Sequence, residues 1–119
     1  MMYKYMNKNP YNNQVDDCVV RSISTAEGIS WDEAYDKLSD SGRDLGLMMN
    51  SVEAVEEYLN ERYDKVPHYS KYVGEFIEEY PRGTYLVTMP GHITVIKNGT
   101  LYDTFDCRNR RMWNAWKTN

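Results

Sequence analysis

Apolar residues recur at helical spacing through the first two-thirds of the chain and change to strand-like alternation after Pro81. A polar loop, Gln14 to Asp17, leads into an apolar stretch that reads as a first helix. Asp16 or Asp17 can cap it, and Gly28 stops it after Glu27. Val19, Ile23 and Ala26, with Val20 beside them, form its inner face, so it reads as the central buried helix. Ser30-Trp31-Asp32-Glu33 is a capping box that starts a second helix near Trp31. Its stripe is Ala34, Tyr35 and Leu38, and Ser41-Gly42 is its expected end. The same capping pattern recurs at Asn50 to Glu53, followed by a third helix. Val52, Val55 and Leu59 would face inward there, with Glu53, Glu56 and Glu57 toward water. Ser70 is the expected cap of a fourth helix, with Val73, Phe76, Ile77 and Tyr80 inward and Pro81 closing it.

Three strands follow: residues 84–89, bounded by Gly83 and Pro90, then 92–97 and 100–105 around an Asn98-Gly99 hairpin turn. Residues 1–15 show no clear period and read as loop, and Met112 to Trp116 reads as an edge strand or a covering turn. Without repeats or a second block of elements, residues 1–119 form one α+β domain, its N-terminal helices packed on a C-terminal antiparallel sheet.

Composition agrees with this picture. A chain of 119 residues can bury about two-thirds of its unfolded surface, so it needs no metal, cofactor or disulfide staple to fold. Its formal net charge of −4 argues against nucleic-acid binding. The basic cluster of Arg108, Arg110 and Arg111 reads as a solvated or ion-paired face. No apolar run is long enough to span a membrane, and Met1-Met2-Tyr3-Lys4-Tyr5 lacks a signal-peptide core, so the expected location is cytoplasmic. In that compartment Cys18 and Cys107 are free thiols rather than a bridge. Frequent Tyr, Asn and Lys point by association to an AT-rich genome, such as a low-GC bacterium or its phage.

The candidate chemistry begins at Cys18, placed where loop becomes helix. An ordinary thiol, pKa about 8.5, is only a few per cent ionised at neutral pH. A helix N-terminus stabilises an anion by about 0.3–1 kcal/mol, with a ceiling of about 2, which lowers that pKa by about one unit. A protonated histidine must supply the rest, and Asp16 and Asp17 oppose it unless they point away or cap the helix.

The hairpin supplies that histidine. With Asn98-Gly99 as a two-residue loop, Lys97 pairs with Thr100, Thr94 with Asp103 and His92 with Phe105. Period two then puts His92, Thr94, Leu101, Asp103 and Phe105 on one face, with Asp103 the diagonal neighbour of His92. Asp103 is therefore the expected acid that orients the imidazole, and Asp106, past the strand end, is the reserve. Backbone amides at the helix start and the Gln14 side chain are the candidate oxyanion donors.

Gln14, Cys18 at a helix start, His92 on a strand, and Asp103-Thr104-Phe105 together resemble the papain-like cysteine peptidase superfamily. Asp17 to Ser24 is similar to the nucleophile segment of ovarian-tumour-type deubiquitinases, and the small size with Gly91-His92 is similar to bacteriocin-processing peptidase domains. Val19 follows the cysteine where many members have Gly or Trp, and the Gln-to-Cys spacing is shorter than in papain. The resemblance implies a papain-like fold and a hydrolase that cuts a peptide or isopeptide amide through a thioester. In that scheme Cys18 is nucleophile, His92 base and Asp103 orienting acid. The implied partner is a protein or peptide substrate, with no cofactor.

Two other readings compete. A non-catalytic phage or bacterial factor on the same fold would dock onto another protein through its exposed tyrosines, Trp113 and Trp116, residues that suit an interface and the core equally. A metal site from Cys18, His92, Cys107 and an Asp lacks any CxxC or HxxxH spacing, so no metal is expected.

Overall fold

The strand that follows the helices is buried on both faces, and this decides the architecture. All six residues of Thr84–Met89 are buried, as in a strand covered on both sides rather than one. The protein, described over residues 2–118 by a computed structural model, is an α+β fold of four helices and a six-stranded mixed sheet. In chain order the elements are β1 (Met2–Tyr5), α1 (Cys18–Glu27), α2 (Trp31–Leu45), α3 (Val52–Arg62), β2 (Asp64–Lys65), α4 (Val73–Glu79), β3 (Thr84–Met89), β4 (His92–Lys97), β5 (Thr100–Asp103) and β6 (Ala115–Lys117). Across the sheet the order is β1-β5-β4-β3-β6-β2.

Two hydrophobic clusters lie on the two faces. One joins Val19, Val20 and Ile23 of α1, Leu38 of α2 and Leu59 of α3 to Leu86, Ile93, Val95 and Trp116. The other joins Val73, Phe76 and Ile77 of α4 to Tyr85, Val87, Met89, Ile96 and Leu101, with Cys107 and Met112. The sheet is thus a filling between three helices and one.

Several expectations need correction. Residues 2–5 are a strand, pairing in parallel with β5, so the sheet is mixed and not wholly antiparallel. β1 escapes a periodicity test because it is a mostly exposed edge strand. The tail is no edge: β6 lies between β3 and β2, and Trp116 is fully buried with its indole donating to Asn60 at 2.9 Å. Trp116 is therefore core and not interface. Ser70 does not cap α4; its hydroxyl bonds the Glu79 carboxylate. Val52 and Tyr35, expected inward, are 59% and 44% exposed.

α2 continues through Gly42 and ends at Gly46, whose φ of 70° is the left-handed cap that favours glycine. Gly42 has another role: it lets the chain after the helix fold back on it. A Cβ there would stand 2.8 Å from the Leu47 carbonyl oxygen. Gly42→Ala is therefore expected to destabilise the fold by about 1–3 kcal/mol, despite alanine's better helix propensity. Chemical denaturation would show it, and a stabilised variant would contradict the close approach.

The β4–β5 hairpin has the expected register, with Lys97 opposite Thr100, Ile96 opposite Leu101 and Val95 opposite Tyr102. Asn98 and Gly99 both have positive φ, 49° and 80°, as a type I′ turn requires. β5 stops at Asp103 and not at residue 105, because the carboxylate of Asp103 accepts the next backbone N–H, Thr104, at 2.7 Å and turns the chain.

Candidate active site

Cys18 is the first residue of α1, and the helix is built to leave its N-terminus open. Asp17 is the N-cap residue, but its side chain does not cap. Its carboxylate instead takes Arg21 one turn along, Asn9 Nδ2 at 2.9 Å and the Trp31 indole at 3.0 Å. Of the two aspartates that threaten a thiolate, Asp17 is thus buried and neutralised by Arg21. Asp16 is exposed, with φ at 69°, a left-handed conformation that Asp tolerates better than most residues.

His92 opens β4 and Asp103 closes β5, so the hairpin brings both to one end of the sheet. His92 Nε2 lies 2.7 Å from Asp103 Oδ2, with the two side chains 7% and 4% exposed. Asp103 is fixed from several sides. Its carboxylate takes the Thr104 amide, its backbone oxygen takes the Met6 amide at 3.0 Å and the Tyr3 hydroxyl at 3.1 Å, and Arg21 Nη2 stands 3.8 Å from Oδ1. β1 therefore braces the acid, and Arg21 links the helix start to it. The Phe105 ring leans on the imidazole at 4.8 Å between centroids.

The electrostatics follow from these contacts. Burial opposes charge on His92, but hydrogen bonds to Asp103, Cys107 and Cys18 outweigh it and push the ring up to about 11. Burial likewise opposes a thiolate at Cys18. Hydrogen bonds from His92 and from the Ile93 amide, with the charges of His92 and Arg21, bring the thiol below its usual value. Burial also raises Asp103, and its bond to the imidazole outweighs that and lowers it, helped by Thr94 and the Thr104 amide. The shifts share one sense: His92 is favoured as imidazolium, and it favours the charged forms of the thiol on one side and the carboxylate on the other.

Cys18 and His92 open onto a cavity of about 290 Å³ whose wall also includes Gln14, Val19, Val55, Met89 and Trp113. Gln14 shares the cavity with the thiol, and its amide donates to the Tyr5 hydroxyl at 3.3 Å. Asp106, the reserve acid, is exposed and paired with Arg108 at 2.7 Å, so it does not bear on the imidazole. The other arginines of that cluster lie over aromatic rings, Arg110 on Phe105 and Arg111 on Tyr72. Both cysteines are free thiols.

Comparison with known proteins finds no family model, no curated protein and no solved structure that matches the chain. Among the described residues no helix is long and apolar enough to cross a membrane.

Sequence reasoning missed Arg21, and it grouped Cys107 with His92 and an Asp only as a metal set that no spacing supports. Arg21 carried a readable signal, the Asp17–Arg21 spacing of four on a helix. Cys107 carried none, because its approach to His92 and Asp103 depends on the chain turning back after β5.

Proposed function

We propose that this protein is a small papain-like cysteine hydrolase that cuts a peptide or isopeptide amide through a thioester on Cys18. One observation carries the reading: the half-buried Cys18 and the buried side chains of His92 and Asp103 form a continuous hydrogen-bonded chain, with the thiol end open to a cavity. Cys18 Sγ attacks the substrate carbonyl carbon, and the carbonyl oxygen takes the negative charge. The amides at the start of α1, which no side chain caps, are the candidate donors for that oxyanion, with the Gln14 side chain, which lines the same cavity, as a second. The C–N bond then breaks as His92 gives its Nδ1 proton to the leaving nitrogen. Once Cys18 is acylated it no longer supports the imidazolium, so the pKa of His92 falls and the ring can act as a base. It takes a proton from water, the resulting hydroxide attacks the thioester, and the C–S bond breaks to return the thiolate. Asp103 holds Nε2–H throughout and thereby keeps Nδ1 toward the sulfur. The expected partner is a protein or peptide chain in the cytoplasm, with no nucleic acid, membrane or cofactor.

Alkylation tests this without a known substrate. At pH 6 an ordinary thiol is well under about 1% ionised, so iodoacetamide is expected to label Cys18 at least about tenfold faster than an unperturbed cysteine, even after allowing for the lower nucleophilicity of a low-pKa thiolate. Cys107, fully buried, is expected to stay unlabelled while the protein is folded. His92→Ala should remove the Cys18 advantage. Labelling of Cys18 at the rate of a free thiol in the native protein would end the hydrolase reading.

A further inference from the structure

Cys107 stands beside the catalytic pair without a role in the chemistry above. It is fully buried, and its Sγ lies 3.8 Å from Asp103 Oδ2, the same oxygen that holds His92. One ligand atom each from His92, Asp103 and Cys107 lie within 4.8 Å of one another. We propose that these three side chains form a site for a thiophilic divalent cation of the zinc class, and that occupancy withdraws His92 from acid–base work. The inhibitory consequence rests on the hydrolase reading; the site itself does not.

The ligand set selects the cation. One thiolate, one imidazole nitrogen and one carboxylate oxygen suit zinc-like ions, whereas magnesium and calcium require mostly oxygen. With metal–ligand bonds of about 2.0–2.3 Å, the corners of a tetrahedron lie about 3.3–3.6 Å apart. The Cys107–Asp103 separation of 3.8 Å is already near that. The His92–Asp103 contact of 2.7 Å must open by about 0.6 Å, a small rotation for side chains at strand ends. The surroundings orient the ligands as well. Asp103 Oδ1 is held by Thr104 N–H and faced by Arg21, which leaves Oδ2 for the cation. Arg21 would repel a cation, but its charge is already matched by Asp17.

The exchange balances without oxidation or reduction. The cation takes the place of the Nε2 proton of His92 and of the Cys107 thiol proton, and both protons leave to solvent. Net charge in the cluster is unchanged. With Nε2 on the metal, the ring can give up its Nδ1 proton only by becoming an imidazolate, so it stops acting as an acid or a base near neutral pH. Because protons leave as the cation enters, binding should tighten as pH rises.

Cobalt(II) is the probe, because thiolate coordination gives a near-ultraviolet charge-transfer band and tetrahedral geometry gives strong visible bands. Titrating the full chain is expected to produce both bands, and zinc should displace them. Cys107→Ala and Cys107→Ser should weaken binding by at least about a hundredfold, with folding of each variant checked by its thermal transition. Cys18→Ala should keep the bands. Absence of the thiolate band in the folded protein, or its loss in Cys18→Ala and survival in Cys107→Ser, would overturn the assignment. The two proposals fail separately. Cobalt on Cys107 with an ordinary Cys18 thiol removes the hydrolase and keeps the site, and a reactive Cys18 with no cobalt band removes the site and keeps the hydrolase.

Discussion

Asp103→Asn is expected to lower stability by about 3 kcal/mol near neutral pH and to abolish the pH 6 reactivity of Cys18. The carboxylate is the buried partner of a buried imidazolium, and an amide of the same shape keeps the packing while removing the charge. The cost falls at the low end of the range for breaking a buried pair, because His92 can shed its proton rather than stay charged and alone. The pH dependence identifies the cause. His92 has a raised pKa, so its contribution is complete below its ordinary value of 6.5 and is lost as pH rises through about 11. Asp103 has a lowered pKa, so its contribution is present above its ordinary 3.8 and is lost as pH falls through its folded value. The native protein should therefore hold a stability plateau between the two limbs. In Asp103→Asn both limbs should flatten, since neither group keeps its partner. Urea denaturation at pH about 2.5, 5, 7 and 10 measures this, the first on the acid limb and the second on the plateau. A variant within about 1 kcal/mol of the native protein at pH 7, with both limbs intact, would show that the 2.7 Å contact contributes little.

How far the site was legible in the sequence follows from what set each part of it. The His92–Asp103 pairing was readable because a two-residue Asn98-Gly99 turn fixes register, and register fixes faces. The start of α1 was readable because Gly28 and the Val19, Val20 and Ile23 face mark it from both ends. The destination of Asp17 was not. Whether an aspartate at a helix start caps it or turns to an arginine one turn along depends on Asn9 and Trp31, distant in sequence, offering donors from the other side. β1 was missed because an exposed edge strand has no buried face to imprint a period, and Gly42 because a close approach looks like a helix stop. These misses share one cause. They are tertiary meetings, and local pattern carries no information about which distant segment will arrive.

Arg21→Met is expected to cost about 3–5 kcal/mol, a second effect of the same size as the first. Arg21 is a buried cation between two buried carboxylates, bonded to Asp17 and 3.8 Å from Asp103. Methionine keeps much of the volume and none of the charge, so both acids lose compensation together. Asp17 retains Asn9 and Trp31 as donors, and Asp103 retains His92, which keeps the loss within the range for one broken pair. Cys18 reactivity should also fall, because the Arg21 charge helps lower the thiol. That fall should be smaller than for His92→Ala, whose ring both donates to the sulfur and carries charge beside it. The double variant Asp17→Asn with Arg21→Met separates structure from chemistry. Removing the stranded carboxylate should restore part of the stability measured by urea denaturation, while iodoacetamide labelling at pH 6 stays slow because no cation returns to the start of α1. Full stability in Arg21→Met alone would mean that solvent already compensates Asp17, and would remove the helix-to-acid link from the account of the site.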